Sequence, residues 1–379
     1  MTTLAPPPPP PAVTVSPPSL DDEPIRGRPR ALRSWILRLV ALGTVAASVA
    51  IDLSVVILLL VLFLLVVPFE KMFPRRRGQR IRRPLAALDV RYALTAALFG
   101  IASITVGAII AVVSFAWLPG LALRPFVAML PNWLMPFVGV AVFDLAIYWA
   151  HRWSHEVPVL WRFHAVHHST EHLDWISGFR NHPFDGAVVA PPAVFLLAAG
   201  FNAEFTGVLA VAQVITGLFL HANVRWRWKP LHRMVITPEF HHWHHSYEAD
   251  ARCSNYSVFL PLWDIIFGTY YMPTNKRPVR YGVSEDMPTT MWGQLCFPFL
   301  GVRPASKILR HPWRSIRDGL HVPKRIVADV WRSTTRPRTP RPKRGDPLPW
   351  ALTPPDISCT RSPHQPAHQE SLTSWPDRT

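Results

Sequence analysis

Cysteine is scarce in this 379-residue chain: Cys253, Cys296 and Cys359 are its whole supply. Their spacing suits neither a metal-binding knuckle nor a redox pair, and no disulfide framework is implied. No glycine-rich phosphate loop leads into a helix, so a nicotinamide or flavin is not expected on this chain. No Ser/His/Asp or Cys/His order suggests a nucleophilic triad. Glu156, Glu171 and Glu239 lie near histidines, yet none falls in the HExxH arrangement of a zinc hydrolase. A cleavable signal is not expected either, because the first apolar stretch begins only after about 35 residues.

Acidic residues are also few, 24 against 40 Lys and Arg, for a formal charge of +16. The placement of that charge argues against nucleic acid. Lys71 to Arg83 holds seven basic residues and no acid, directly after an apolar run. This is the pattern of a cytoplasmic loop beside anionic lipid. The tail repeats the bias, with 13 basic residues and two acidic ones, Asp318 and Asp329, between Arg303 and Arg344. The start is proline-rich, unbroken from Pro6 to Pro11, and cannot form a helix.

Long apolar runs fill the middle. Leu39 to Pro68 carries only Asp52, Tyr92 to Leu123 carries no charge, and Pro125 to Phe143 carries none before Asp144. Each is long enough to cross a hydrocarbon core of about 30 Å. A fourth region, 187–220, is interrupted at Gly200-Phe201-Asn202-Ala203-Glu204 and reads as a hairpin dipping into the membrane. The expected fold is therefore an all-α integral membrane protein with about four membrane-embedded helical regions. A cytoplasmic histidine-rich helical cap would sit on it, between a disordered Pro-rich N-terminus and a basic C-terminal tail. The boundaries are 1–32 for the N-terminus, 33–125 for the first transmembrane helices, 126–300 for the histidine-bearing domain and 301–379 for a largely disordered tail. Spans at 92–118 and 126–149, with the hairpin, place every histidine cluster on the cytoplasmic side of a multi-pass protein. Region 33–70 reads equally as a tilted span or a hairpin.

Thirteen of 17 histidines fall between 151 and 245. They read His151-x-x-x-His155, His164-x-x-His167-His168 and His241-x-x-His244-His245, with His221 alone between the second and third clusters. Spacings of three and four put side chains on one helical face, and imidazole is a good ligand for iron, zinc and copper. Eight such residues are enough for two metal ions. Left unpaired, buried imidazoles would each cost roughly 1–3 kcal/mol. An HxxHH run can give one ligand to one metal and two to its neighbour. His182, in Arg180-Asn181-His182-Pro183, is a further ligand or an outer donor. His241 and His242 both precede Trp243; His241 keeps the HxxHH spacing, whereas His242 would point about 100° away. The candidate ligands are thus His151, His155, His164, His167, His168, His182, His221, His241, His244 and His245. Asp144 and Tyr148 share a helical face with His151 and His155, and Asp144 could fix the second nitrogen of a ligand histidine.

These elements resemble the fatty acid hydroxylase / sterol desaturase family of membrane oxygenases. They are Asp144-x-x-x-Tyr148-Trp149-x-His151-Arg152-x-x-His155, Trp161-Arg162-Phe163-His164-x-x-His167-His168 and Arg180-x-His182-Pro183. Next come His221-x-Asn223, Pro238-x-x-His241-x-x-His244-His245, Asn255-Tyr256 and Trp263-Asp264-x-x-Phe267-Gly268-Thr269. The resemblance covers about 130 to 270. It implies two histidine-held irons that activate dioxygen to hydroxylate or desaturate a lipid C–H bond. It also implies supporting positions at Asp144, Tyr148, Asn223 and Asp264. Spacing alone leaves iron and zinc both open, and with zinc a membrane hydrolase or a non-catalytic metal-binding protein. Without a nucleotide cofactor, electrons should come from a separate ferredoxin, cytochrome or reductase, which a basic surface would steer in. Trp149, Trp153, Trp161, Phe163 and Trp175 suit a lipid arriving from the bilayer.

Overall fold

The computed structural model describes residues 39–40, 42–47, 49–50, 54–115, 117–225, 231–299 and 327–335. The described residues from Gly43 onward form one compact unit. The Pro-rich N-terminus expected at 1–32 and most of the expected tail lie outside the described residues. The exception in the tail is a helical stretch at 327–335, where the Ser333 carbonyl accepts from Arg152 and its hydroxyl donates to Glu156.

The described residues are helical, with no strand among them and only two isolated bridges. The helices are α1 (Ser54–Met72), α2 (Ala86–Leu94), α3 (Ala96–Ser114), α4 (Leu118–Ala128), α5 (Met135–Glu156) and α6 (Pro158–His168). After a 3-10 turn at Trp175–Phe179 come α7 (Pro183–Ala198), α8 (Ala203–His221), α9 (Pro238–His244), α10 (Leu262–Phe267) and α11 (Met291–Cys296).

Among the described residues, two helices are long and apolar enough to cross a membrane. They are α3, over Ala96–Val113 with mean hydropathy 2.4, and α8, over Ala203–His221 with 1.7. Eighteen helical residues span about 27 Å. Both leave large aliphatic side chains uncovered: Ile101, Ile104, Ile109 and Val113 on α3, and Val208, Val211, Val214 and Ile215 on α8. A water-soluble chain rarely exposes so continuous an apolar surface.

Two boundaries differ from those expected. The run 126–149 is not one helix, because α4 ends at Ala128 and α5 starts only at Met135. Pro131 lies in the break, its carbonyl taking the amides of Leu134 and Met135, and Pro136 occupies the first turn of α5. The region 187–220 is two helices reversed at Gly200, whose φ of +99° suits glycine. Asn202 then caps α8 by accepting from the Phe205 amide. At 19 residues, α8 is longer than half a re-entrant hairpin requires.

Packing brings α7 against α3 and α5, and α8 against the 3-10 turn and α9. One core cluster joins Phe143 and Ile147 of α5 to Leu196 of α7, Ala199 just after it and Leu209 of α8. The corner between α5 and α6 matters most for the site. Val157 is extended, at φ −100° and ψ 115°, because the residue before a proline avoids the helical region. Pro158 then opens α6, which folds the histidines of α6 back onto those of α5.

Candidate metal centre

The structure gathers nine of the ten candidate ligands into two groups. Group one holds His151 and His155 of α5, His164 and His168 of α6, and His244 of α9. Group two holds His167 of α6, His221 at the end of α8, His241 of α9 and His245 just after it. Within each group the nitrogens lie within 4.8 Å of one another. The HxxHH runs explain the division. In α6 the first and last histidines, one turn apart, serve group one while His167 serves group two. In α9 the roles swap: His241 and His245 serve group two, and His244 crosses to group one.

The proton positions can be deduced. The Nδ1 atom of His151 lies 2.7 Å from the Tyr256 carbonyl and that of His244 lies 2.9 Å from the Ser254 carbonyl. In group two, His221 Nδ1 lies 2.6 Å from the Gly217 carbonyl and His167 Nδ1 lies 3.3 Å from that of Arg180. A carbonyl only accepts, so each Nδ1 carries the proton. A neutral imidazole has one N–H, so the corresponding Nε2 is a bare lone pair. Yet His221 Nε2 stands 3.2 Å from His167 Nε2, and each of these two rings has its proton on the other side. In group one His244 Nε2 stands 3.2 Å from the Nε2 atoms of His155 and His168 and so offers its lone pair to the same space. The facing lone pairs of His167 and His221 repel at that distance unless a cation lies between them. Two adjacent ligands at about 2.1 Å from one metal would stand about 3.0 Å apart. The donor set therefore fits a metal in each group.

Burial keeps these rings neutral. It holds His155, His167, His168, His241, His244 and His245 well below the ordinary histidine range, with neighbouring imidazoles acting in the same direction. The same cause takes His151 down to about 3. Neutral imidazole is the form that binds metal.

The supporting positions act through backbone. Asp144 does not reach a histidine ring: its carboxylate accepts from the amides of Val258, Phe259 and Leu260. Asp264 accepts from the amides of Tyr256 and Ser257 and from the Thr269 hydroxyl, which also meets Tyr148 Oη at 3.0 Å. Asn255, in the left-handed region at φ 63°, ties the same loop to the Phe240 carbonyl of α9. Together they fix the loop that presents the Ser254 and Tyr256 carbonyls to group one. Asn223 takes the Arg76 amide on its Oδ1 and donates its own amide to Glu70, which anchors the chain just beyond His221.

His182 stands apart from both groups. Its Nδ1 accepts from the Phe184 amide and so caps α7, while its Nε2 lies 3.2 Å from the Leu295 carbonyl. His242 is buried and meets Tyr281 Oη at 3.3 Å. Three features escaped the sequence reading. Asp185, three residues after His182, holds His164. A buried quartet of Arg83, Asp89, Asp174 and Arg180 ties the segment after α6 to α2, with Arg180 Nε 2.6 Å from Asp89. Cys253, nine residues after His244, is disulfide-bonded, whereas the cysteine spacing implies no bridge.

Residues 136–269 match the family model for fatty acid hydroxylase, a span that contains every histidine of both groups. Over this segment the chain is similar to the fatty acid hydroxylase family. The chain is 33% identical over 193 residues to an ornithine lipid hydroxylase of Rhizobium tropici, covering 47% of this chain and 58% of the relative. It is 29% identical over 185 residues to an alkylglycerol monooxygenase of Danio rerio, covering 45% and 38%. The human alkylglycerol monooxygenase is 29% identical over 168 residues, covering 42% and 34%. The chain thus spans little more than half of the first relative and less than half of the others. No solved structure matches.

Proposed function

We propose that this chain is a membrane-bound di-iron oxygenase that hydroxylates a C–H bond of a lipid, using dioxygen and electrons from a separate donor. The observation that carries it is the gathering of nine histidine rings into two adjoining groups, in one of which the bare Nε2 atoms of His167 and His221 face each other at 3.2 Å. His151, His155, His164, His168 and His244 would hold one metal, and His167, His221, His241 and His245 the other. When bound, the metal pair supplies the activation of dioxygen.

The chain's residues supply the rest. Backbone carbonyls at Tyr256, Ser254, Gly217 and Arg180 hold each Nδ1–H and so aim the opposite nitrogen inward. Burial of the rings keeps bulk water from the reacting site. The apolar faces of α3 and α8 set the domain in the bilayer from which a lipid would enter. The basic 71–83 loop would face the cytoplasm, with the histidine groups on the same side of a multi-pass protein. Hydroxylation balances as one C–H, one dioxygen, two electrons and two protons giving one C–OH and one water. The names of the relatives, an ornithine lipid hydroxylase and alkylglycerol monooxygenases, favour hydroxylation of a polar-headed lipid over desaturation.

The test begins with elemental mass spectrometry of detergent-purified protein from iron-supplemented cells, expected to give two irons per chain. Oxygen uptake is then followed with a reductase, ferredoxin and membrane lipid extract. A lipid product that gains one oxygen is the expected result, and one that loses two hydrogens would replace hydroxylation by desaturation. Two zincs with oxygen-independent lipid cleavage would overturn the proposal in favour of a hydrolase.

A further inference from the structure

The two groups are not held alike. Each outer contact given above for groups one and two ends on a backbone carbonyl. The exception is His164 of group one, whose Nδ1 lies 2.9 Å from Asp185 Oδ2 and 3.1 Å from Oδ1. Both residues are buried, and this is the one histidine–carboxylate pair among the described residues. We infer that Asp185 is a positioning residue that makes the group-one metal the more tightly held of the two. This rests on the di-metal reading above and goes beyond it.

The physical case has three parts. The carboxylate fixes the proton on His164 Nδ1 and presents Nε2 to group one. Its charge makes that ring a stronger donor than a carbonyl partner can. It also places one negative charge beside a metal whose other ligands are neutral imidazoles. Among the described residues no carboxylate pairs with a group-two ring, and His167 and His221 rest on carbonyl oxygens. The carboxylate itself is held in place. The Asp185 amide donates to the His182 carbonyl at 2.9 Å, and the His182 ring caps the first turn of α7 through the Phe184 amide. The motif around His182 therefore presents Asp185 to His164.

The test uses the full-length protein in detergent, with Asp185→Asn and Asp185→Ala beside wild type. Iron is counted by elemental mass spectrometry, and its retention is titrated against a chelator of increasing strength. Mössbauer spectra of the reduced, iron-57-loaded protein report the two iron environments separately. Wild type is expected to hold two irons in two distinct environments. Asp185→Ala should release one iron at about 10–100-fold lower chelator strength while the other signal stays unchanged. Asp185→Asn keeps the shape and an acceptor oxygen, so it should fold as wild type does, lose less affinity and still shift one signal. If Asp185→Ala fails to fold, Asp185→Asn decides. Wild-type retention and unchanged spectra in Asp185→Asn would overturn the inference and leave the di-metal reading intact. A wild-type protein without metal would overturn both.

Discussion

Group one and group two sit side by side and share α6 and α9, yet they are built on different supports. Group one draws four of its five rings from the α5–α6 corner. Its fifth ring comes from α9, and the 254–260 loop that holds His151 and His244 is clamped by the buried carboxylates of Asp144 and Asp264. Group two has one ring at the end of an apolar 19-residue helix and takes its outer contacts from the Gly217 and Arg180 carbonyls. A short-range corner and a carboxylate-anchored loop hold the first. A long-range docking of α8 on the 175–179 turn holds the second. The same HxxHH motif thus supplies two sites whose robustness should differ, and perturbations can be aimed at one or the other.

The largest effect should come from ligand removal. His244→Ala takes a ring from group one and His241→Ala one from group two; each should lower the iron count from two toward one and reduce lipid hydroxylation to background. Elemental analysis and a product assay check this. Two irons retained in His244→Ala would remove that ring from the ligand set. Next in size are the buried anchors. Arg180 pairs with Asp89 in a site closed to solvent, and Arg180→Ala should cost about 3–5 kcal/mol because it breaks a buried ion pair. Asp264→Ala orphans two amides and a hydroxyl, at roughly 1–3 kcal/mol for each group left unsatisfied. Thermal unfolding in detergent measures both losses. Iron retention in the folded fraction should distinguish them, with Arg180→Ala weakening group two and Asp264→Ala weakening group one.

Side-chain chemistry at helical spacing was readable from the sequence, and backbone chemistry was not. Three and four are the spacings of a helix face, so the clusters and the two-to-one division of an HxxHH run followed from periodicity. Which metal each ring serves depends on the angle between α6 and α9, which no local pattern encodes. The carbonyls of Ser254, Tyr256, Gly217 and Arg180 were invisible because every residue has one. Asp144 illustrates the limit: a buried acid on the histidine face suggested a ring partner, yet three amides 114–116 residues away satisfy it. Asp185 did have a signal, an acid in the first turn of a helix opened by His182-Pro183. The same motif drew attention to His182 itself.

Gly178 offers a finer probe of group two alone. A Cβ there would lie 3.1 Å from His221 Nδ1 and from Leu218 Cδ2, tighter than the 3.5–4.0 Å of ordinary carbon contact. Gly178→Ala should shift His221 by a few tenths of an ångström, destabilise the fold by about 1–3 kcal/mol and ease release of the group-two iron only. Equal easing of both irons would mean that the two groups are coupled through α8.

The smallest expected effect separates a ligand from a cap. If His182 holds α7 by accepting from the Phe184 amide, asparagine can do the same, since its side-chain oxygen is among the best at that position. His182→Asn should then keep two irons and the chelator resistance of both, losing only the contact to the Leu295 carbonyl, about 1 kcal/mol. His182→Ala removes the cap as well, at roughly 0.5–2 kcal/mol, and should loosen Asp185 and, through it, group one. Loss of an iron in His182→Asn would instead make His182 a ligand, and would require the first turn of α7 to move toward the rings when metal binds. The difference between these two variants tests whether group one owes its hold to Asp185 or to a tenth histidine.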